Sequence, residues 1–327
     1  MFYTIRHSTK FRYSGPVSES TMEVRMQPRS DGTQRCLSFQ FNVQPRARVH
    51  SYRDYLGNSV HHFDVPGNHR QLTLSAEALV EAQPDPVLPD SIGPEAWASL
   101  DELITGGDFI EMLMPSQFAQ PSDLLEQFAD EIGVPARGEV RQCDPLALLL
   151  RLNTALNAAI AYAPKSTRVD SPIDHALESR QGVCQDYAHI LIALVRELGI
   201  PCRYVSGYLF HSANDKSFSA DGATHAWVEA LLPELGWLGL DPTNNMVAGQ
   251  RHIRTAVGRD YADVPPTKGV FKGSVDSQLL VKVNVVPSDS PPPFETDLAH
   301  LEDWSSSTQQ ESPSADLIAQ QQQQQQQ

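Results

Sequence analysis

The chain has 327 residues, 40% of them hydrophobic, and a formal net charge of −15 at pH 7. This length and composition fit a globular protein of two domains with accessory segments. A strongly acidic chain is repelled by phosphates and by anionic lipid headgroups, so we expect neither nucleic acid nor a membrane as a partner. No apolar run is long enough to span a membrane, and the N-terminus lacks the apolar core of a signal peptide.

Four cysteines are spread along the chain without a CxxC pair or dense spacing: Cys36, Cys143, Cys184 and Cys202. Such spacing offers neither a disulfide framework nor a cysteine-based zinc motif. We therefore expect reduced thiols and a cytoplasmic protein, and the sequence leaves the oligomeric state open.

The first 82 residues alternate between apolar and polar side chains in short runs. Runs suited to strands and the turns between them lie at residues 2–7, 14–16 (turn), 20–27, 29–32 (turn), 36–43, 54–58 (turn), 60–65 and 71–75. This spacing predicts a β-sandwich or barrel-like domain over residues 1–82. His61 and His62 do not suggest a metal site, because alternation sends neighbouring side chains to opposite faces.

Residues 83–145 change in character and are predicted to form a linker and a helical segment. Prolines at 84, 86, 89 and 94 mark an extended connection. Ser122 is placed to cap a helix that ends at Gly133. A leucine-rich run over residues 143–157 predicts a second helix that packs against the core. Asp174 is expected to cap a short helix over residues 175–180.

A third helix is predicted to begin at Cys184. Apolar residues follow at one-face spacing, and Gly199 and Pro201 end the pattern. Cys184 then lies at a helix N-terminus, where free N–H groups and the helix dipole favour a thiolate. Gly182 is expected to let the backbone turn into this helix without a Cβ clash.

Two predicted strands downstream carry a histidine and an aspartate at facing ends. His225 begins the strand over residues 224–232, and Asp241 ends the strand over residues 236–243. In an antiparallel hairpin these two ends meet. A nucleophilic cysteine needs a base, and the base needs a group that orients it, so Cys184, His225 and Asp241 form a candidate set.

Four segments containing these residues resemble the catalytic core of the transglutaminase-like superfamily. They are GVCQDYAH at 182–189, RYVSGYL at 203–209, THAWVEALL at 224–232 and GWLGLDPTNN at 236–245. The resemblance runs from Asn157 to about Val247, and the N-terminal third is similar to the β-rich domain that precedes this core in many bacterial members. It implies an α+β protein in which a papain-like core, predicted over residues 146–287, carries a Cys-His-Asp triad on a helix and an antiparallel sheet.

The resemblance also implies acyl chemistry at Cys184, with His225 as base and Asp241 as its orienting acid. A glutamine carboxamide or peptide carbonyl of a protein or peptide substrate would be attacked, and water or an amine would resolve the thioester. Tyr162 lies in the segment that carries an aromatic residue near the active site in relatives. Tyr162 is therefore a candidate oxyanion or substrate contact beside the backbone N–H of Cys184, and Gln181 is a second candidate.

This chemistry requires no metal or cofactor, and the chain has no EF-hand-type acidic loop, so we expect neither. Two alternatives stay open. A non-catalytic peptide-binding or scaffold module would retain the fold, and a zinc site would use the same cysteine, histidine and aspartate with a further ligand.

Three predictions concern the C-terminal half outside the motifs. Residues 210–223 form a polar loop placed to cover the cleft. Residues 277–285 form a strand expected to pair with the core sheet. Residues 288–327 are acidic, rich in proline and serine, and end in glutamines 320–327, which predicts disorder. One hypothesis is that these glutamines are acyl-donor substrates of the chain's own active site.

Overall fold

The computed structural model describes residues 1–85, 87–211 and 223–290, and it confirms an α+β fold with a β-rich N-terminal region. Most of the predicted cleft loop at 210–223 lies outside these ranges, as does nearly all of the predicted tail at 288–327. The described residues form two main antiparallel sheets with helices packed on the second. No helix within the described ranges is both long and apolar enough to cross a membrane.

The first sheet is built on two unusually long strands that pair along their length. The strands of its N-terminal part are β1 (Phe2–Val24), β2 (Gln34–Gln44), β3 (Val49–Arg53) and β4 (Ser59–Ala82). Run 2–7 and the first five residues of run 20–27 both belong to β1, so the turn predicted at residues 14–16 is wrong. The β1–β4 register shifts there instead, between Arg12 and Glu19. A register shift accommodates Pro16, which has no N–H for the ladder.

The middle of the chain supplies most of the helices. The elements in order are α1 (Ala96–Thr105), α2 (Asp123–Glu131), α3 (Arg137–Val140), α4 (Pro145–Ala159), β5 (Ala161–Tyr162), α5 (Ile173–Ser179), β6 (Gln181–Gly182) and α6 (Cys184–Glu197). Ser122 caps α2 as predicted, accepting a hydrogen bond from the Leu125 N–H at 3.1 Å. Asp174 does not cap α5, because Pro172 holds that position. Its carboxylate instead accepts a hydrogen bond from the Ser122 hydroxyl and ties α5 to α2.

The second sheet lies against α6 and has the strand order β10-β9-β8-β7-β11. Its strands are β7 (Cys202–Leu209), β8 (His225–Leu232), β9 (Gly236–Asp241), β10 (Met246–Val247) and β11 (His252–Gly258). Every residue of α6 from Gln185 to Arg196 is buried, because the helix is enclosed by this sheet and by its neighbouring helices. The predicted end of α6 is confirmed, with Gly199 in the left-handed region at φ +82°.

The last two strands leave the second sheet and complete the first. They are β12 (Thr267–Phe271) and β13 (Ser277–Ser288), and both pair with β1. The strand predicted at 277–285 is therefore present, but its predicted pairing with the core sheet is wrong. An alternating pattern marks a strand with one buried face and does not specify its partner. The partner here is the free edge of β1, more than 260 residues earlier in the chain.

Two side-chain amides from the first sheet region cover the outer edge of β11. The carboxamide of Gln34 bonds to both the N–H and the carbonyl of Arg254, each at 2.9 Å. The carboxamide of Asn58 makes the same pair of bonds to Val257, each at 2.8 Å. Each amide thus replaces the hydrogen bonds that a further strand would make, so the backbone groups of Arg254 and Val257 are satisfied.

Candidate active site

Cys184 is the first residue of α6, and the side chain of Asp186 fixes the start of that helix. The Asp186 carboxylate accepts hydrogen bonds from the Val183 N–H at 2.8 Å and from the Thr167 hydroxyl at 2.5 Å. Burial raises the pKa of Asp186 to about 6, although both donors oppose the shift. Cys184 itself is only half-buried and remains accessible from a pocket.

Gly182 is needed here for close packing. A Cβ at this position would lie 3.0 Å from the Cβ of Asp186. The expected avoidance of a Cβ clash is therefore confirmed, and it does not involve a left-handed backbone, because Gly182 is not among the glycines with positive φ. Its small size lets Asp186 reach back over the helix start.

His225 and Asp241 meet at the end of the β8–β9 hairpin, as the sequence predicts. His225 Nε2 lies 2.8 Å from Asp241 Oδ2, and both side chains are buried. The other carboxylate oxygen, Oδ1, accepts hydrogen bonds from the backbone N–H groups of Thr243 and Asn244 at 3.1 and 3.2 Å. Asp241 therefore caps the turn after β9 and at the same time holds the imidazole of His225.

The electrostatics of this pair favour its charged form. Burial lowers the proton affinity of His225, but Asp241 and a hydrogen bond with Cys184 outweigh it and raise the pKa to about 10. Burial disfavours the charged form of Asp241, but His225 and His252 stabilise the anion and hold the pKa of Asp241 far below the usual range of a carboxyl group. Because Nε2 faces Asp241, Nδ1 is the ring nitrogen available to exchange a proton with the Cys184 thiol.

Two further residues of the site were missed by the sequence analysis. His252 Nε2 lies 3.0 Å from Asp241 Oδ2, and the Asn244 amide donates to the same oxygen at 2.7 Å. Asn244 stands in the turn directly after Asp241, so its nearness in the sequence could have indicated that it belongs to the site. His252 lies on a separate strand, so no local pattern indicated its contact with Asp241.

A cavity of about 40 Å³ adjoins Cys184 and His225. Its aromatic lining residues are Tyr162, Tyr204 and Tyr261. Tyr162 is held there because β5 pairs with β6, which places Tyr162 opposite Gly182. Gln181 is exposed and does not line the cavity. Gln185 does line it, but its amide donates to the carbonyl of Val169 at 2.8 Å.

His225, Asp241 and His252 are also the one cluster in the described ranges with ligand atoms close enough for a metal, within 4.8 Å of one another. Both imidazoles, however, place Nε2 at 2.8 and 3.0 Å from the same carboxylate oxygen. A tetrahedral zinc ion separates its ligand atoms by roughly 3.3 Å and binds each of them directly. These two distances therefore fit hydrogen bonds from the imidazoles to the carboxylate better than ligation of a metal ion.

Two family models match separate parts of the chain. Residues 3–81 match the bacterial transglutaminase-like N-terminal region, and residues 131–242 match the transglutaminase-like superfamily. An uncharacterized protein of Mycobacterium tuberculosis is 33% identical over 311 residues, covering 91% of this chain and 95% of its own.

Two further relatives carry functional names. A protein-glutamine gamma-glutamyltransferase of Pseudomonas aeruginosa is 35% identical over 113 residues, which are 32% of this chain and 17% of that enzyme. The crystal structure of a candidate cysteine protease from Cytophaga hutchinsonii superposes with a TM-score of 0.67 at 24% identity, covering 89% of this chain and 93% of that one. The superposition shows a shared fold.

Proposed function

Because this chain belongs to the transglutaminase-like superfamily, we propose that it is a cysteine-dependent acyl-transfer enzyme. Its substrates are the carbonyl groups of peptide bonds or of glutamine carboxamides in a protein or peptide. The reaction passes through a thioester on Cys184, which water or an amine resolves. The first route makes a protease or amidase, and the second makes a transglutaminase.

The observation that carries this proposal is the position of His225 between a thiol and a carboxylate. The ring has Asp241 at Nε2, and Cys184 is a further side-chain hydrogen-bond partner. Its raised pKa means that it holds a proton at neutral pH, which stabilises a neighbouring thiolate. A thiolate at a helix N-terminus beside a cavity is an activated nucleophile.

In the first half-reaction the sulfur of Cys184 attacks the carbonyl carbon, and the carbonyl oxygen becomes an oxyanion. His225 then protonates the nitrogen of the leaving group, the C–N bond breaks, and ammonia or an amine departs. The thioester remains on Cys184. In the second half-reaction water or an amine gives its proton to His225, attacks the thioester, and releases Cys184 as thiolate.

Asp241 acts throughout by holding the ring of His225 and stabilising its charged form. The backbone N–H of Cys184, at the start of α6, is a donor for the oxyanion. Tyr162 is our candidate for a second donor because it lines the cavity beside Cys184. The exposed position of Gln181 supports that role less well.

The experiment mixes glutamine-containing peptides and an excess of a primary amine with the protein, and the products are weighed by mass spectrometry. Cys184→Ala is the test variant, and Cys143→Ala is the matched control, because Cys143 is also half-buried but lies outside the cavity. Amine-coupled product identifies a transglutaminase, and cleavage or deamidation alone identifies a hydrolase. Product that persists in Cys184→Ala, or no product from a broad peptide set, contradicts the proposal and favours a binding module.

The role of Tyr162 is tested in the same assay. Removing one oxyanion donor lowers kcat by roughly 100-fold in enzymes of this type. Tyr162→Phe should therefore reduce kcat with little effect on KM, whereas Gln181→Ala should change neither. Equal kcat for Tyr162→Phe and the unaltered protein would remove Tyr162 from the oxyanion site.

A further inference from the structure

His252 is buried on β11 and makes a hydrogen bond with each of its ring nitrogens. The Gly249 N–H donates to Nδ1 at 3.2 Å, and Nε2 lies 3.0 Å from Asp241 Oδ2. Nδ1 must therefore be an acceptor, so the ring proton sits on Nε2 and points to the carboxylate. Burial lowers the pKa of His252 and keeps this tautomer neutral.

Asp241 thus stands between two histidines in opposite states. His225 is protonated, and His252 is a neutral donor to the same carboxylate oxygen. Together with Asn244, three donors converge on Oδ2. Each additional donor spreads the negative charge of the oxygen, and this weakens its attraction for every other donor, including His225.

The surroundings of His252 hold the ring in this orientation. The indole of Trp227 packs against it edge-on, with ring centroids 5.1 Å apart. The charged groups that act on His252 are Asp241, His225 and Arg251, and those that act on His225 are Asp241 and Cys184. The backbone of β11 is fixed by its pairing with β7 and by the amides of Gln34 and Asn58.

We propose that His252 is a positioning residue that moderates the hold of Asp241 on the proton of His225. This inference rests on the acyl-transfer function proposed above. Asp241 must be negative enough to stabilise the imidazolium beside the thiolate. It must also let His225 release its proton to the leaving amine, and the neutral donor to Oδ2 sets that balance.

The test uses two variants that differ in where they place an amide. In His252→Gln the side-chain nitrogen lies near the place of Nε2 and can still donate to Asp241. In His252→Asn the amide lies near the place of Nδ1 and cannot reach Asp241. His252→Gln is therefore the rescue variant and His252→Asn the loss variant. A thermal melt of each establishes that it is folded, and His252→Phe replaces Asn if that variant does not fold.

The substrate-free measurement is NMR of side-chain ¹⁵N-labelled histidines, with His225 assigned by His225→Gln. In the unaltered protein His252 should show a protonated Nε2 and an unprotonated Nδ1. In His252→Asn the pH at which His225 loses its proton should rise by roughly half a unit or more, and His252→Gln should keep the original value. An unchanged or lower midpoint in His252→Asn, or a charged His252, would overturn the inference.

The turnover measurement uses the peptide assay. Loss of a hydrogen bond to a charged group should lower kcat of His252→Asn by roughly 10- to 100-fold, with KM nearly unchanged and most activity retained in His252→Gln. Equal losses in the two variants would indicate a merely structural role. Absence of turnover in the unaltered protein would count against the proposed function alone, because the NMR titration needs no substrate.

Discussion

Both sheets bury histidines, and His7 of the first sheet and His225 of the second differ in charge. His7 on β1 is 1% exposed and contacts the Tyr208 hydroxyl at 2.9 Å and the Thr9 hydroxyl at 3.1 Å. Both of these hydroxyl partners are neutral, and burial lowers the pKa of His7 to about 3. His225 is 5% exposed, yet its pKa is raised to about 10 by Asp241 and Cys184 against the effect of burial. Burial alone therefore does not set the charge: His225 is charged because it faces both the Asp241 carboxylate and the Cys184 thiol, and His7 is neutral because its hydroxyl partners are neutral.

The largest expected effect is a loss of kcat when the charge beside His225 is removed, which makes its surroundings as neutral as those of His7. Asp241→Asn keeps the shape of the side chain but removes its charge and favours the wrong imidazole tautomer. We predict that kcat falls roughly 10⁴-fold, close to the loss in Cys184→Ala. The peptide assay measures it, with Asn42→Asp, an exposed site on β2, as the control for a general change of charge. Retention of more than about a tenth of the activity would show that Asp241 does not govern His225.

The second effect concerns the contact between the two sheets. Asn58→Ala leaves the N–H and the carbonyl of Val257 without partners in a buried place. We predict a loss of roughly 2–4 kcal/mol in the free energy of unfolding, measured by urea denaturation. Asn42→Ala is the matched control, because Asn42 is exposed on the same sheet. A loss no greater than in that control would mean that water replaces the amide without cost.

The third effect is the pH dependence that His225 gives to stability. Its folded pKa, about 10, lies above the unfolded value of about 6.5, so the folded state binds more protons between these values. The stabilisation is complete below pH about 6.5 and is lost as the pH rises toward 10. Between about pH 7 and pH 9 the unaltered protein should lose roughly 2–3 kcal/mol more than His225→Gln. Parallel losses in the two proteins would contradict a charged His225.

The fourth effect is the opposite dependence at His7. Its folded pKa, about 3, lies below 6.5, so the unfolded state binds the extra proton. The stabilisation is present above pH about 6.5 and is lost as the pH falls toward 3. Between about pH 7 and pH 5 the unaltered protein should lose about 2 kcal/mol more than His7→Asn, which does not titrate. Urea denaturation at the two pH values measures this, and a difference of the opposite sign would mean that His7 is charged in the folded state.

The sequence was informative where neighbouring residues determine the structure. The start of α6 at Cys184 and its end at Gly199 follow from local spacing and from a glycine in the left-handed region. The ends of one hairpin bring His225 and Asp241 together, because its turn fixes the register. These features are all encoded within one element or between two adjacent ones.

What the sequence did not predict depends on contacts between distant segments. β13 joins β1 across nearly the whole chain, and its alternating pattern suited either sheet. His252 reaches Asp241 because β11 pairs with β7 and the intervening chain crosses the end of the sheet. Such pairings depend on which edge of a sheet is left without a neighbouring strand, and a local sequence pattern does not contain that information.

The most direct test of a reactive cysteine held by a charged histidine is selective alkylation. The protein is treated with iodoacetamide at about pH 6, where ordinary thiols react slowly, and the labelled cysteines are mapped by mass spectrometry. Cys36 and Cys143 are internal references because they are half-buried like Cys184, and burial raises the pKa of Cys36 to about 11. We predict that Cys184 is labelled first and that Asp241→Asn abolishes this preference. Labelling of Cys184 no faster than that of Cys143 would contradict the account.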